Sequence, residues 1–174
     1  PGSALHEGVK WDWESFPEYM DAVEAYPRAI DVGAQVPHCA VRTYVMGDRG
    51  THNEKATDDD VSKMTAIVRE GIQAGALGFT TSRTELHTTR EDEAMPGTYA
   101  DENELLGIGK AIGETGGRAS YGVVSDWNNW EEEMDWMKRL SIENNCQVNF
   151  ILFFREEKDW PRVKAQLDYV REAK

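Results

Sequence analysis

Cys146-Gln147-Val148-Asn149-Phe150-Ile151-Leu152-Phe153-Phe154 is the longest apolar run in the chain, and its reading decides the fold. A short, nearly continuous apolar segment of this kind predicts a parallel strand covered on both faces. Upstream, the spacing predicts a helix from Asn129 or Trp130 to Asn144, with Trp130, Met134, Met137 and Leu140 on its buried side. Its acidic run Glu131-Glu132-Glu133 falls in the first turn, where negative charge suits the helix dipole. Downstream, Trp160, Val163, Leu167 and Val170 mark another amphipathic helix, with Pro161 in its first turn.

The same alternation extends toward the N-terminus. Ser15 ahead of Phe16-Pro17-Glu18 starts a helix that stops before Pro27. Ile30–Val36 alternates like a strand, which Pro37 ends, and a helical turn around Cys39–Val45 and a polar loop over 47–56 follow. Thr57 and Asp60 form a capping-box-like start for a helix carrying Val61, Met64, Val68 and Ile72. Gly75 closes it, and Leu77–Thr81 reads as a strand. A loop over 82–98, a helix from Asp101 to Glu114 and a strand from Ala119 to Val124 complete the series. Helix starts near 57, 101, 130 and 160 therefore alternate with strands, the rhythm of a parallel α/β fold with about four βα units. Periodicity alone leaves two architectures open: part of a (β/α)8 barrel, or a small open doubly wound sheet.

The chain has 174 residues, fewer than the roughly 250 of a whole barrel. It opens with Pro1-Gly2-Ser3 rather than Met, which reads as mid-protein sequence or a remnant of a tag. The net charge of −13 disfavours nucleic acid and anionic membrane surfaces as partners. No apolar run approaches the roughly 20 residues of a transmembrane helix. The two cysteines, Cys39 and Cys146, have no metal-ligand spacing and suit a reducing cytoplasm.

In parallel α/β folds, chemistry gathers where strands end and the next loops begin. That rule selects His38 and Arg42 after the first strand, and Ser82, Arg83 and His87 after the second. It also selects Ser125-Asp126 and Phe154-Arg155-Glu156. His38 is a candidate metal ligand or proton shuttle, though its spacing favours a capping or hydrogen-bonded histidine. Arg42 and Arg83 are candidates to clamp a carboxylate through paired N–H donors, or to pair with one of 32 acidic residues. Ser125-Asp126 is expected to cap the following helix. Trp11 and Trp13 are candidates to line a pocket, and no Gly-rich phosphate loop is present.

Several stretches together resemble one family. They are Gly8-Val9-Lys10-Trp11-Asp12-Trp13-Glu14-Ser15-Phe16-Pro17-Glu18-Tyr19, Pro37-His38-Cys39-Ala40-Val41-Arg42-Thr43-Tyr44-Val45-Met46-Gly47 and the segment from Glu70 to Arg83, with Ala74-Gly75-Ala76-Leu77-Gly78-Phe79-Thr80-Thr81-Ser82-Arg83 at its core. His87 and Pro96-Gly97-Thr98-Tyr99-Ala100 follow in register. In that order they resemble amidohydrolases related to N-acyl-D-amino-acid deacylases.

The resemblance implies a partial (β/α)8 barrel of the metal-dependent hydrolase type. Residues 1–174 would form an internal part of the catalytic barrel, with N- and C-terminal parts of the family domain outside it. It implies a hydrolase acting on carbon–nitrogen bonds other than peptide bonds, deacylating N-acyl-D-amino acids or similar linear amides. The cofactor implied is zinc or another divalent metal in the full-length protein. By position it places His38, Arg42, Ser82, Arg83 and His87 at the substrate, a small amide. It leaves the metal ligands and the proton-transfer residue outside this chain. Where better-known deacylases carry two further metal-binding histidines, this chain has Tyr121 or Gly122, and Leu152 or Phe153. That departure keeps a second reading alive: a non-catalytic α/β binding module that has lost the metal site.

Overall fold

The computed structural model describes residues 10–116 and 119–172. Ser15 opens the first helix, α1 (Phe16–Ala25), through a reciprocal capping box. Its hydroxyl accepts from the Glu18 N–H, and the Glu18 carboxylate accepts from the Ser15 N–H at 2.8 Å. The strand expected over Ile30–Val36 shrinks to β1 (Val36–Pro37). Ile30 and Val32 are exposed, so their alternation does not mark a buried face. Pro37 is tolerated because β1 is an edge strand, bonded to β2 alone among the described residues. The turn expected over Cys39–Val45 is a full helix, α2 (His38–Met46). A one-turn helix, α3 (Asp48–Thr51), interrupts the expected polar loop.

The remaining elements fall close to where their apolar spacing put them, except that the last strand is shorter. They are α4 (Asp58–Gln73), β2 (Gly78–Arg83), α5 (Glu102–Gly113), β3 (Ser120–Ser125), α6 (Trp130–Asn144), β4 (Gln147–Phe150) and α7 (Trp160–Glu172). The Thr57–Asp60 capping box opens α4, and Val61, Met64, Val68 and Ile72 are all buried. Ser125-Asp126 does not cap α6 as expected, since Asn129 occupies that position. Ser125 instead accepts from the Trp127 N–H, and Asp126 reaches back to the loop after β2.

All four strands are parallel, and their spatial order β1-β2-β3-β4 is their chain order. A doubly wound sheet reverses direction and carries helices on both faces. Here there is no reversal, and α4 packs on α5, which packs on α6. This is the winding of a barrel segment.

The two faces of the sheet differ sharply in chemistry. Val36, Phe79, Thr81, Tyr121 and Val123 are buried beneath the helices with Met64, Val68, Leu105, Ile108, Ile112 and Leu140. Burying each large apolar side chain contributes about 1.5–3 kcal/mol. The alternate positions, Thr80, Ser82, Ser120, Gly122, Val124 and Asn149, form the opposite face. Thr80, Gly122 and Asn149 stand in register across three strands, and Gln35 donates to Ser120 Oγ at 3.3 Å on the same side. This face is small and polar.

Two expectations near the C-terminus are corrected. The 146–154 run is not a doubly covered strand: β4 stops at Phe150, and Gln147, Asn149, Ile151 and Phe154 are exposed. Among the described residues no strand pairs with its outer edge. In α7 only Val163 of the apolar stripe is buried, while Trp160, Leu167 and Val170 are exposed.

Candidate functional site

The C-terminal ends of the strands carry all five candidate residues, and strand alternation separates them. Ser82 lies on the open polar face, two positions beyond Thr80. Its Oγ is 2.7 Å from Nδ1 of His87 in the exposed loop that follows. Arg83 turns to the helix face. Its guanidinium forms a paired contact with the Glu133 carboxylate at 2.8 and 2.9 Å from Nε, donates to the Ala100 carbonyl at 2.8 Å, and lies over the Trp136 ring.

His38 and Arg42 are also on the helix side, each 1% exposed. They converge on Glu104, in the first turn of α5, which is equally buried. His38 Nε2 lies 2.7 Å from Glu104 Oε1, and its Nδ1 lies 2.8 Å from Thr81 Oγ1. Arg42 donates to the other Glu104 oxygen and to the Glu54 carbonyl. Burial pushes the Glu104 carboxyl up, but the bonds from His38 and Arg42 outweigh it and hold the group below its ordinary range. Glu104 is therefore a carboxylate acceptor, and His38 Nε2 carries the proton that it receives. His38, Arg42 and Arg83 are thus committed to partners inside the fold. Ser82 and His87 alone among the five face open space.

The sequence reading missed Glu104 and Glu133 because both looked like ordinary acidic residues in a first helical turn. What could have flagged them is that each falls opposite a buried cation one βα unit away, a relation visible only with the register in hand.

The loop from Thr84 to Asp101 is built rather than slack. Asp126 accepts from the Thr84 hydroxyl at 2.6 Å and the Glu85 N–H at 2.8 Å. Asn53 donates to the Ala94 and Met95 carbonyls and accepts from the Gly97 N–H. Gly97 has φ of +100°, and a Cβ there would stand 2.7 Å from His38 Nδ1. The loop therefore rests directly on the buried imidazole.

A separate cavity lies elsewhere. An apolar groove of about 720 Å³ runs along the β1 edge, and Trp11, Trp13, Phe16, Tyr19, Val36 and Tyr44 line it. None of its lining residues belongs to β2, β3 or the loops that follow them. The two thiols offer no nucleophile: burial pushes Cys39 up, and Cys146 up to about 11. Among the described residues, no three His, Cys, Asp or Glu side chains converge as a metal site would require. Leu152 and Phe153 lie beyond β4, and the residue in register with Gly122 is Asn149. No helix among the described residues is long and apolar enough to cross a membrane.

The amidohydrolase family model matches residues 5–172, nearly the whole chain. The chain belongs to the amidohydrolase family. Among the relatives of this chain is a D-aminoacylase from Alcaligenes xylosoxydans xylosoxydans, 33% identical over 81 residues, which are 47% of this chain and 16% of that protein. A solved D-aminoacylase in complex with CuCl2 superimposes with a TM-score of 0.73 at 20% identity, over 91% of this chain and 31% of that one. An N-acyl-D-glutamate deacylase from Bordetella bronchiseptica, complexed with zinc and a phosphonate inhibitor, gives 0.68 at 21% identity over the same shares. The chain thus has the fold of part of those enzymes and spans a minor share of their length.

Proposed function

We propose that the full-length protein is a carbon–nitrogen hydrolase that deacylates N-acyl-D-amino acids or similar linear amides. The observation that carries this reading is the open polar sheet face ending at the Ser82–His87 pair, in a chain of the amidohydrolase family. The D-aminoacylase and N-acyl-D-glutamate deacylase likenesses support the substrate class.

In this reading Ser82 and His87 contact the small-molecule substrate. The hydroxyl at Nδ1 fixes the ring, which leaves Nε2 to receive a carboxylate or carbonyl oxygen. His38, Arg42 and Arg83 act beneath the site, holding the strand ends and the Thr84–Asp101 loop in place. The proton-transfer residue lies outside this chain.

The related structures hold zinc or copper, and zinc or another divalent ion is the cofactor proposed for the full-length protein. The residues described here do not fit such an ion, because the open face offers hydroxyls, an amide and Gly122 but no His, Cys, Asp or Glu cluster. Ligands would come from residues outside this chain. The reduced thiols and the charge of −13 support a cytoplasmic protein without nucleic-acid partners.

Metal analysis and amide hydrolysis of the full-length protein test the proposal together. Bound divalent ion with turnover of an N-acyl-D-amino acid is expected. An ion-free protein that stays inactive after metal is supplied would overturn it. That result would favour the non-catalytic binding module, a reading supported by a sheet face that, among the described residues, carries no His, Cys, Asp or Glu cluster.

A further inference from the structure

The buried cluster on the helix side has a consequence for the open side. Glu104 holds His38 through Nε2, and Thr81 holds the same ring through Nδ1. Gly97, which has no side chain to intervene, lies against that ring. Gly97 also sits in the run of backbone bonds that closes the loop: Met95 N–H to the His87 carbonyl, Thr98 N–H to Met95 and Ala100 N–H to Gly97. A continuous chain of contacts therefore links Glu104 to His38, Gly97, Met95 and finally His87.

We propose that Glu104 is a positioning residue: by fixing the His38 ring it sets the seat of the Thr84–Asp101 loop, and with it the placement of His87 against Ser82. Glu104 touches neither Ser82 nor His87, so its action runs through the imidazole. The physical basis is that a buried ring held at both nitrogens has one orientation, and the flat face it presents is the floor on which Gly97 rests. Releasing either nitrogen lets the ring turn, and the floor of the loop moves with it. Phe79, 5.2 Å from the His38 ring centroid, limits that turn on the strand side. The movement is thereby directed toward Gly97. This inference does not rest on the hydrolase reading, since it concerns the pose of a loop and needs no substrate.

Hydrogen exchange and histidine NMR on the full-length protein test it. Glu104→Gln replaces one of the two acceptor oxygens by an NH2 donor, so it cannot accept from both His38 and Arg42, and Thr81→Val removes only the Nδ1 partner on an isosteric side chain. Each variant is expected to raise exchange at the Met95, Thr98 and Ala100 amides by tenfold or more, with the sheet amides of β2 and β3 unchanged. The His87 ring resonances should move in both, because its contact with Ser82 is disturbed. A role confined to general stability would raise exchange everywhere together and leave the His87 signature in place. Wild-type loop exchange and an unshifted His87 ring in a folded variant would overturn the proposal. If Glu104→Gln does not fold, Thr81→Val alone decides between these outcomes.

Discussion

Ser82 Oγ and His87 Nδ1 lie 2.7 Å apart, the one side-chain pair among the five candidates that meets on the open face of the sheet. Under the proposed function, His87→Ala removes the group presented to substrate, and Ser82→Ala releases its orientation. A hydrogen bond to a charged group is worth about 1.5–3 kcal/mol. His87→Ala is therefore expected to lower kcat/KM by roughly ten- to a hundred-fold, chiefly through KM. Ser82→Ala should do less. Steady-state kinetics of the full-length protein on an N-acyl-D-amino acid checks this. Unchanged kinetics in both would remove the pair from the site.

Arg83 and Glu133 form a paired ion contact, 18% and 12% exposed, between β2 and α6. Arg83→Ala leaves that carboxylate largely buried without its partner and frees the Ala100 carbonyl. A loss of about 3 kcal/mol is expected, near the low end for breaking a buried pair. Arg83→Lys should recover little, because an ammonium cannot make the forked contact. Urea denaturation of the three proteins measures the difference.

Asp60 sits below its ordinary pKa of 3.8, at about 2. Burial acts to raise it, and the bonds from Arg49 and Thr57 overcome that effect. A depressed carboxyl stabilises the fold above its unfolded pKa and loses that contribution as pH falls toward the folded one. The contribution of Asp60 is therefore complete above about pH 4 and fades toward about pH 2. At neutral pH, Asp60→Asn weakens the α4 capping box and should cost about 1 kcal/mol. The Tm gap between variant and wild type should narrow as pH falls through that window. A gap independent of pH would contradict the assignment.

Gly113 faces the end of α6, where a Cβ would stand 1.6 Å from the Asn144 carbonyl oxygen. Backbone cannot swing aside as a side chain can. Gly113→Ala is expected to cost about 1–3 kcal/mol despite the higher helix propensity of alanine. Gly107→Ala, which meets only a Val61 methyl at 2.6 Å, should cost less. Thermal unfolding of both variants orders them.

The apolar spacing of 57–144 was legible because each element there buries a face within its own neighbourhood. Val61, Met64, Val68 and Ile72 needed no knowledge of the tertiary fold to be placed. The stretches that misled lie at the two sheet edges. Ile30–Gln35 and Ile151–Phe154 carry strand-like residues, but among the described residues no strand ladder extends over them, and propensity without a full set of partners does not make a strand. At the site, the families of residue were visible but their faces were not. Ser82 and Arg83 are adjacent, and only strand pairing decides which of them meets the helices. His38 after Pro37 looked available, yet the start of α2 directs it into the interior.

The polar row Thr80–Gly122–Asn149 sets a condition on any closed barrel built with these strands. Barrel centres are ordinarily plugged by tiers of branched aliphatic side chains contributed from around the ring. These strands bring little volume to that plug, so the strands opposite must supply the bulk. Failing that, the axis would fill with solvent, and the catalytic end would open onto a wet shaft instead of a sealed base.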